Sequence, residues 1–507
     1  MTPRYSGAVI RGAHASLAPL LRRFGLWVAA AFLLAAVLMP PRQGLPVAGQ
    51  RMIGVLVFAV LVWMTEAISY EVSAVVILSL IALLLGFSPD PAAPAAVIGT
   101  AKGLVAALDG FANPATVLVA AATFLSAGMM MTGLDRRIAL LVLSRVGSKT
   151  RNLLIGIILV CMVLSFFIPS TTARVACLVP IVLGIVQVFG LSRKSAFAGM
   201  LMIATAQADT IWNVGLKTGA AQNFVTVSFI EKMLGGVLIT WPQWFLAGVP
   251  FSVIMSVLLY FVLVRTMPPE VADIPGGQEA IKRQLAELGP LTRKESRLLV
   301  IALLLLAFWS TENILHRLDS ATVTVLGVAL MLLPGLGVMS WKEAQPKIPW
   351  GTIALFGVGI SLGSALLSTR AAAWLADIVA GTFGLATMPP LGIIAVMMAF
   401  LILVHLGFAS ATALASAMIP IVIAILIKAQ AGNPALNTVG LTLIIHFTVC
   451  FGFILPVNAP QNMVAYSTGT FEARDFRRTG FPLTLLAYVT VLVLSATYWK
   501  WLGLVTR

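Results

Sequence analysis

The chain has 507 residues, 60% of them hydrophobic and 10% charged, with a formal net charge of +15. Soluble domains carry about 25% charged residues, so this composition excludes a soluble enzyme, a nucleic-acid-binding domain and a disordered scaffold. It leaves an integral membrane protein, with room for about 10 to 13 membrane elements at roughly 20 apolar residues per crossing.

An N-terminal arm, 1–24, precedes a first span at 25–40. Arg22-Arg23 before that run imitates a signal peptide, but the many spans behind it favour an uncleaved helix. Spans follow at 53–68, 72–87 and 114–133. The run 152–189 is too long for one crossing and carries Pro169-Ser170-Thr171-Thr172 near its middle. It reads as a re-entrant hairpin of two half-length helices. The run 197–226 breaks near Gly215–Asn223. A span at 243–265 leads into the longest polar connection, 266–297, read as a cytoplasmic linker between two halves. The second half has spans at 298–312, 321–337 and 350–367. A second hairpin, 391–427, follows with Ser410-Ala411-Thr412 at its tip, then a run at 437–466 broken near Pro456–Asn462, and a last span at 481–503. Irregular backbone at membrane depth is tolerated only against protein or a water-filled cavity, so the two tips are the first site candidates. Cys161, Cys177 and Cys450 lie in apolar runs and read as free core residues.

With the N-terminus in the cytoplasm, 22 of the 33 Lys and Arg fall inside and nine outside; Arg174 and Lys217 lie within membrane elements. The positive-inside rule therefore accounts for the charge without nucleic acid. The expected location is a bacterial inner (plasma) membrane, with the N-terminus cytoplasmic.

Four landmarks recur in order. Trp63-Met64-Thr65-Glu66 returns as Trp309-Ser310-Thr311-Glu312, and Thr132 before an amphipathic stretch returns as Thr369. Ser170-Thr171-Thr172-Ala173 returns as Ser410-Ala411-Thr412-Ala413, and Gln222-Asn223 returns as Gln461-Asn462. Nearly constant offsets indicate a duplication, and the charge topology inverts the halves: 25–265 is the first repeat and 298–507 the second. That is the organisation of many secondary transporters, with the ligand near the midplane where broken elements meet. A hairpin tip offers a helix N-terminus that favours an anion. Ser and Thr hydroxyls there can donate to carboxylates or accept a cation. Two opposed tips suit a ligand with two negative ends, and the broken helices add carbonyls that can hold Na⁺. Candidate substrate contacts are Ser170, Thr171, Thr172, Ser410, Ala411, Thr412, Asn223, Asn462 and Arg174. Coupling-ion candidates are Ser170, Thr172, Gly219, Thr412, Asn458, Lys217 and Asp209. Asp209, Asn213 and Lys217 share one helical face; they read either as an Asp209–Lys217 pair, or as Lys217 standing in for a coupling cation with Asp209 modulating it. Glu66 and Glu312 read as scaffold caps or pairs, and His405 as a packed polar residue. No other cofactor is expected. The competing readings are a passive anion channel and a membrane enzyme or receptor; the latter lacks a catalytic constellation.

At these residues the sequence resembles the divalent anion/sodium symporter family, which carries dicarboxylates, citrate and sulfate. The resemblance spans Trp63–Ile68, Gly133-Leu134-Asp135-Arg136-Arg137-Ile138-Ala139 and Pro456-Val457-Asn458-Ala459-Pro460-Gln461-Asn462. It implies an all-α polytopic homodimer of about 11 transmembrane helices, in which a transport domain bearing the hairpins moves like an elevator against a scaffold. The family's tips read Ser-Asn-Thr; here Thr171 and Ala411 replace the Asn, which in the family contributes to substrate and Na⁺ contacts. In the family's exchangers a basic residue follows the first tip, as Arg174 does, whereas Leu414 stands where they often carry His. The resemblance thus implies transport of a di- or tricarboxylate-like anion, by exchange or Na⁺ symport, with sulfate or a sulfonate as the alternative.

Overall fold

The computed structural model describes residues 17–506, apart from 91–92, 273–276 and 386–387. Most of the expected arm 1–24 and part of the linker 266–297 lie outside the described residues. Among those described, eight helices are long and apolar enough to cross a membrane, and shorter apolar helices accompany them.

The first group comprises Leu17–Leu38, Val47–Thr65, Tyr70–Gly86 and Pro114–Thr132. A short strand pair at 89–97 and a helix at Thr100–Leu108, both absent from the sequence reading, fill the gap before Pro114. The Pro114 helix starts where Asn113 accepts from Ala115 N–H with Pro at the first turn, and ends at Gly133 in the left-handed region, φ 77°. Its counterpart is Trp350–Ser368. The two run antiparallel: Ser361 Oγ accepts from Gly110 N–H near the start of the first and late in the second. One face of the molecule therefore carries Asp109 and Ser364, and the other carries Thr132 and Lys347.

The run 152–189 resolves into Thr150–Phe167 and Thr171–Val188, joined by Ile168-Pro169-Ser170. The two feet rest on adjoining elements. Gly156 packs against Leu143 and Val146, while Gly184 faces Gln284 and Phe189 covers Gly277. Gln278 Nε2 also donates to Ser144 O. The supports are the amphipathic helix Leu134–Leu143 and a helix inside the linker, Gly277–Glu287; the linker is thus partly structured rather than a plain connection. The second hairpin is Pro390–His405 and Ala411–Gly432, with Lys428 near its foot paired to Asp377 of helix Ala371–Phe383. The supports follow Thr132 and Thr369 and so lie on opposite faces, which makes the hairpins inverted.

The broken helices repeat the same local geometry. Ala196–Gly215 and Ala221–Met233 flank a turn at Lys217–Gly219, and Thr438–Val449 and Pro460–Tyr466 flank one at Pro456–Asn458. Leu216 and Leu455 enter these turns at φ −125° and −118°, and Ala220 and Ala459 leave at φ −157° and −154°. The Trp landmark has a shared purpose too: Trp63 Nε1 donates to Ser73 Oγ, and Trp309 Nε1 to Thr324 Oγ1.

Candidate functional site

The two tips line one cavity of about 510 Å³. The hairpins contribute Pro169–Ala173 and Ser410–Thr412, and the breaks contribute Asn213, Ala220–Gln222 and Ala459–Gln461. The first-group helices and 347–355 close the remaining wall with Tyr70, Thr123, Ser126, Met130, Lys347 and Thr352. Because Met130 and Lys347 lie toward the face that carries Thr132, the cavity approaches that face. Lys347 is the one charged side chain among its described lining residues. Ser170 and Ser410 are the N-caps, accepting from Ala173 and Ala413 N–H. Each keeps its hydroxyl hydrogen for a ligand, and the first-turn N–H groups behind it have no partner within the helix. Two helix N-termini and their hydroxyls meeting in one low-dielectric chamber are an arrangement that favours anions.

Behind the cavity the breaks leave carbonyls that lipid cannot satisfy. Asn223 Nδ2 donates to Asn213 O at 2.8 Å and Leu216 O at 2.9 Å, Trp244 Nε1 to Val214 O and Ser252 Oγ to Ile211 O. Asn462 Nδ2 donates to Gly452 O at 2.7 Å, the same bond in the second repeat. Fixed donors also cross from break to tip. Arg174 is fully buried; its Nη1 donates to the tip carbonyl Ile168 O at 2.6 Å and the break carbonyl Gly219 O at 3.0 Å. Its Nε pairs with Asp209 at 2.6 Å and its Nη2 donates to Asn213 Oδ1. Thr171 Oγ1 donates to the same Oδ1, which links the guanidinium to the cavity wall. In the second repeat the donor comes from the break: Asn458 Nδ2 donates to His405 O, Leu406 O and Phe408 O at 2.8, 3.3 and 3.2 Å. His405 Nε2 contacts Asn458 O at 3.3 Å.

Comparison with known proteins decides the family. The profile described as "Sodium:sulfate symporter transmembrane region" matches residues 22–505. The chain belongs to that family. It is an integral membrane transporter and not an enzyme. A Cupriavidus necator membrane protein is 52% identical over 95% of this chain and 93% of its own length. The L-tartrate/succinate antiporter of Escherichia coli is 28% identical over 86% of this chain and 89% of its own. The sodium-dependent dicarboxylate transporter SdcS of Staphylococcus saprophyticus is 26% identical over 85% and 82%. The crystal structure of the Alcanivorax borkumensis YdaH transporter, described as having an unusual topology, aligns with TM-score 0.55 and 14% identity over 85% of this chain and 97% of that one. At that identity the likeness concerns the fold alone.

The transporter's cavity takes in Ser170, Thr171, Thr172, Ser410, Ala411 and Thr412. Three other expected contacts sit behind it: Asn223 and Asn462 staple the breaks, and Arg174 ties the first tip to its break. None of the three lines the cavity. Arg174 also brings no net charge, because Asp209 neutralises it. The expected Asp209–Lys217 pair does not form; Lys217 Nζ turns away to Glu312, 3.5 Å off. Lys217 therefore does not stand in for a cation at the tip. The guanidinium at the first tip is that of Arg174, which bonds the Gly219 carbonyl, and the Asn458 amide is a donor. Glu312 pairs as expected and also accepts from Trp241 N–H and from Ser320. His405 is packed as expected, at 2% exposure. The sequence reading missed Gln222, Gln461, Asn213, Tyr70 and Lys347 as lining residues. The repeated Gln-Asn pair was the available signal: its Gln lines the cavity and its Asn lies behind.

Proposed function

We propose that the chain exchanges dicarboxylate-type anions across a bacterial inner membrane, by alternating access in which a transport unit moves past a scaffold. The unit comprises both hairpins and both broken helices; the scaffold comprises 25–133 and 298–368, with two chains paired as a homodimer. The observation that carries the exchange reading is the Arg174 guanidinium on Ile168 O and Gly219 O. Na⁺ needs bare oxygens, such as the unwound carbonyls of coupled transporters. Here a fixed cation holds those oxygens in the first repeat, and the Asn458 amide holds the tip carbonyls in the second. Donors already in place on these carbonyls compete with Na⁺ at both places, which argues against a coupling Na⁺ there. A carrier whose tips are braced by covalently attached donors needs no Na⁺ to organise them, and an anion on each leg of the cycle keeps its charge balanced.

Dicarboxylate is favoured over sulfate because two opposed tips match two separated negative ends. The antiporter and dicarboxylate transporter among the relatives support the same substrate class. A tetrahedral dianion would engage one tip and leave the other facing water. Vesicles loaded with unlabelled succinate should take up labelled succinate faster than empty ones. Equal rates in both would indicate a passive channel, and acceleration by internal sulfate alone would hand the site to sulfate.

A further inference from the structure

Gln222 and Gln461 occupy matching positions in the two repeats, each immediately before a stapling Asn, and both line the cavity. They are 5% and 6% exposed. Both amides are held from behind, Gln461 by a hydroxyl that can only accept and Gln222 by a thiol. Gln461 Nε2 donates to Thr210 Oγ1 at 3.1 Å, and that hydroxyl has spent its hydrogen on Ala206 O, so it can only accept. Gln222 Nε2 donates to Cys450 Sγ at 3.5 Å, whose thiol points to Asn223 Oδ1. Each Gln therefore keeps its carbonyl oxygen for the cavity, where no described residue donates to it. A nearly buried acceptor facing a chamber built for anions is unfavourable unless the ligand brings a donor. A carboxylate has none; a hydroxyl beside it does.

We propose that Gln222 and Gln461 accept hydrogen bonds from hydroxyl groups on the substrate, so that the site selects hydroxylated dicarboxylates over the plain ones. The inference rests on the dicarboxylate reading above. The tips hold the two carboxylates and the two Gln oxygens take the hydroxyls on the carbons between them. Because the two Gln are related by the pseudo-twofold axis of the repeats, a ligand whose two hydroxyls share a twofold axis fits best. Both chiral forms of 2,3-dihydroxysuccinate have such an axis and a chiral site prefers one of them, whereas the meso form has none. A site built around a substrate hydroxyl rejects the analogue that lacks it, since its own polar group is then stranded.

The test is a thermal-shift titration of the purified protein at pH 7.5, because a ligand stabilises the state it binds by an amount that rises with the logarithm of its concentration over Kd. The probes are succinate, malate, L-, D- and meso-tartrate, and 2,3-difluorosuccinate, which has the bulk and acceptors of the dihydroxy acid but no donors. The expected order is one chiral tartrate tightest, then malate, then succinate, with about fivefold in apparent Kd per hydroxyl and difluorosuccinate no better than succinate. In Gln222→Met and Gln461→Met the ratio of succinate to tartrate Kd should collapse toward one. Difluorosuccinate binding like tartrate, or succinate equal to tartrate in the unsubstituted protein, would overturn the assignment even if neither variant folds. No shift with any of the anions would instead sink the dicarboxylate reading beneath it.

Discussion

Thr412 lines the cavity with no helix-capping duty, whereas Ser170 both lines it and caps its helix. Thr412→Val should therefore weaken apparent anion affinity about tenfold or more, since a hydrogen bond to a charged group contributes roughly 1.5–3 kcal/mol, and leave the melting temperature of the ligand-free protein nearly unchanged. Ser170→Ala should weaken affinity similarly and also lower that melting temperature, because losing an N-cap costs about 1 kcal/mol. Competition assays in proteoliposomes and ligand-free melts check the pair. Arg174→Ala should abolish exchange, since removing one partner of a buried pair costs about 3–5 kcal/mol and strands Asp209. Arg174→Lys should recover part of it, because Lys keeps the charge but not the planar fork that reaches Ile168 O and Gly219 O together. The tip hydroxyls were legible in the sequence because they recur at two interruptions of apolar runs. Arg174 was legible as important but not as neutral, because its partner lies 35 residues away on another helix. Lys217 was misread for the same reason: spacing along one helix puts it on the Asp209 face, but the helix ends at Gly215 and the turn at Lys217–Gly219 redirects the side chain to Glu312.

The breaks depend on a small set of donors for their carbonyls. Asn223 serves Asn213 O and Leu216 O, and its own Oδ1 faces His446 Nε2 at 2.9 Å, which ties the two broken helices together. Asn223→Ala should lower the melting temperature and slow exchange, because each stranded buried group costs about 1–3 kcal/mol; Asn223→Asp should not rescue it, since a carboxylate cannot donate. Melting curves with initial uptake rates read this out. Both breaks also admit a close neighbour: a Cβ at Gly248 would collide with Val214 O, and one at Gly480 with Phe453 O. The hairpins could be recognised from run length alone, since 38 apolar-rich residues exceed one crossing. The strand pair at 89–97 and the helix Gly277–Glu287 could not. The first is a short Ala- and Pro-rich stretch with no alternation, and the second is polar enough to read as linker, although Gly277, Ala280 and Ile281 are buried against the first hairpin's foot.

Two ion pairs join the proposed transport unit to the scaffold on the face opposite the cavity's approach. Lys217 meets Glu312, and Lys232 meets both Asp109 and Ser364. At the matching positions of the second repeat, Lys217 corresponds to Pro456 and Lys232 to Phe471, neither of which carries a charge. In the proposed alternating-access cycle these contacts form a one-sided latch that favours the conformation described here. Glu312→Gln should shift the empty carrier toward the opposite conformation. A single cysteine at Ala411, with Cys161, Cys177 and Cys450 replaced, reports this as slower labelling by an impermeant thiol reagent from the Lys347 face. Unchanged labelling would remove the latch from the account. The exchange reading rests on Arg174 and Asn458 holding the oxygens a coupling Na⁺ would need. Its most direct test is labelled succinate uptake into proteoliposomes with all Na⁺ replaced by choline, with and without succinate inside. Uptake that survives in choline and rises several-fold with internal succinate is the predicted result; uptake that requires Na⁺ and ignores internal succinate would contradict it.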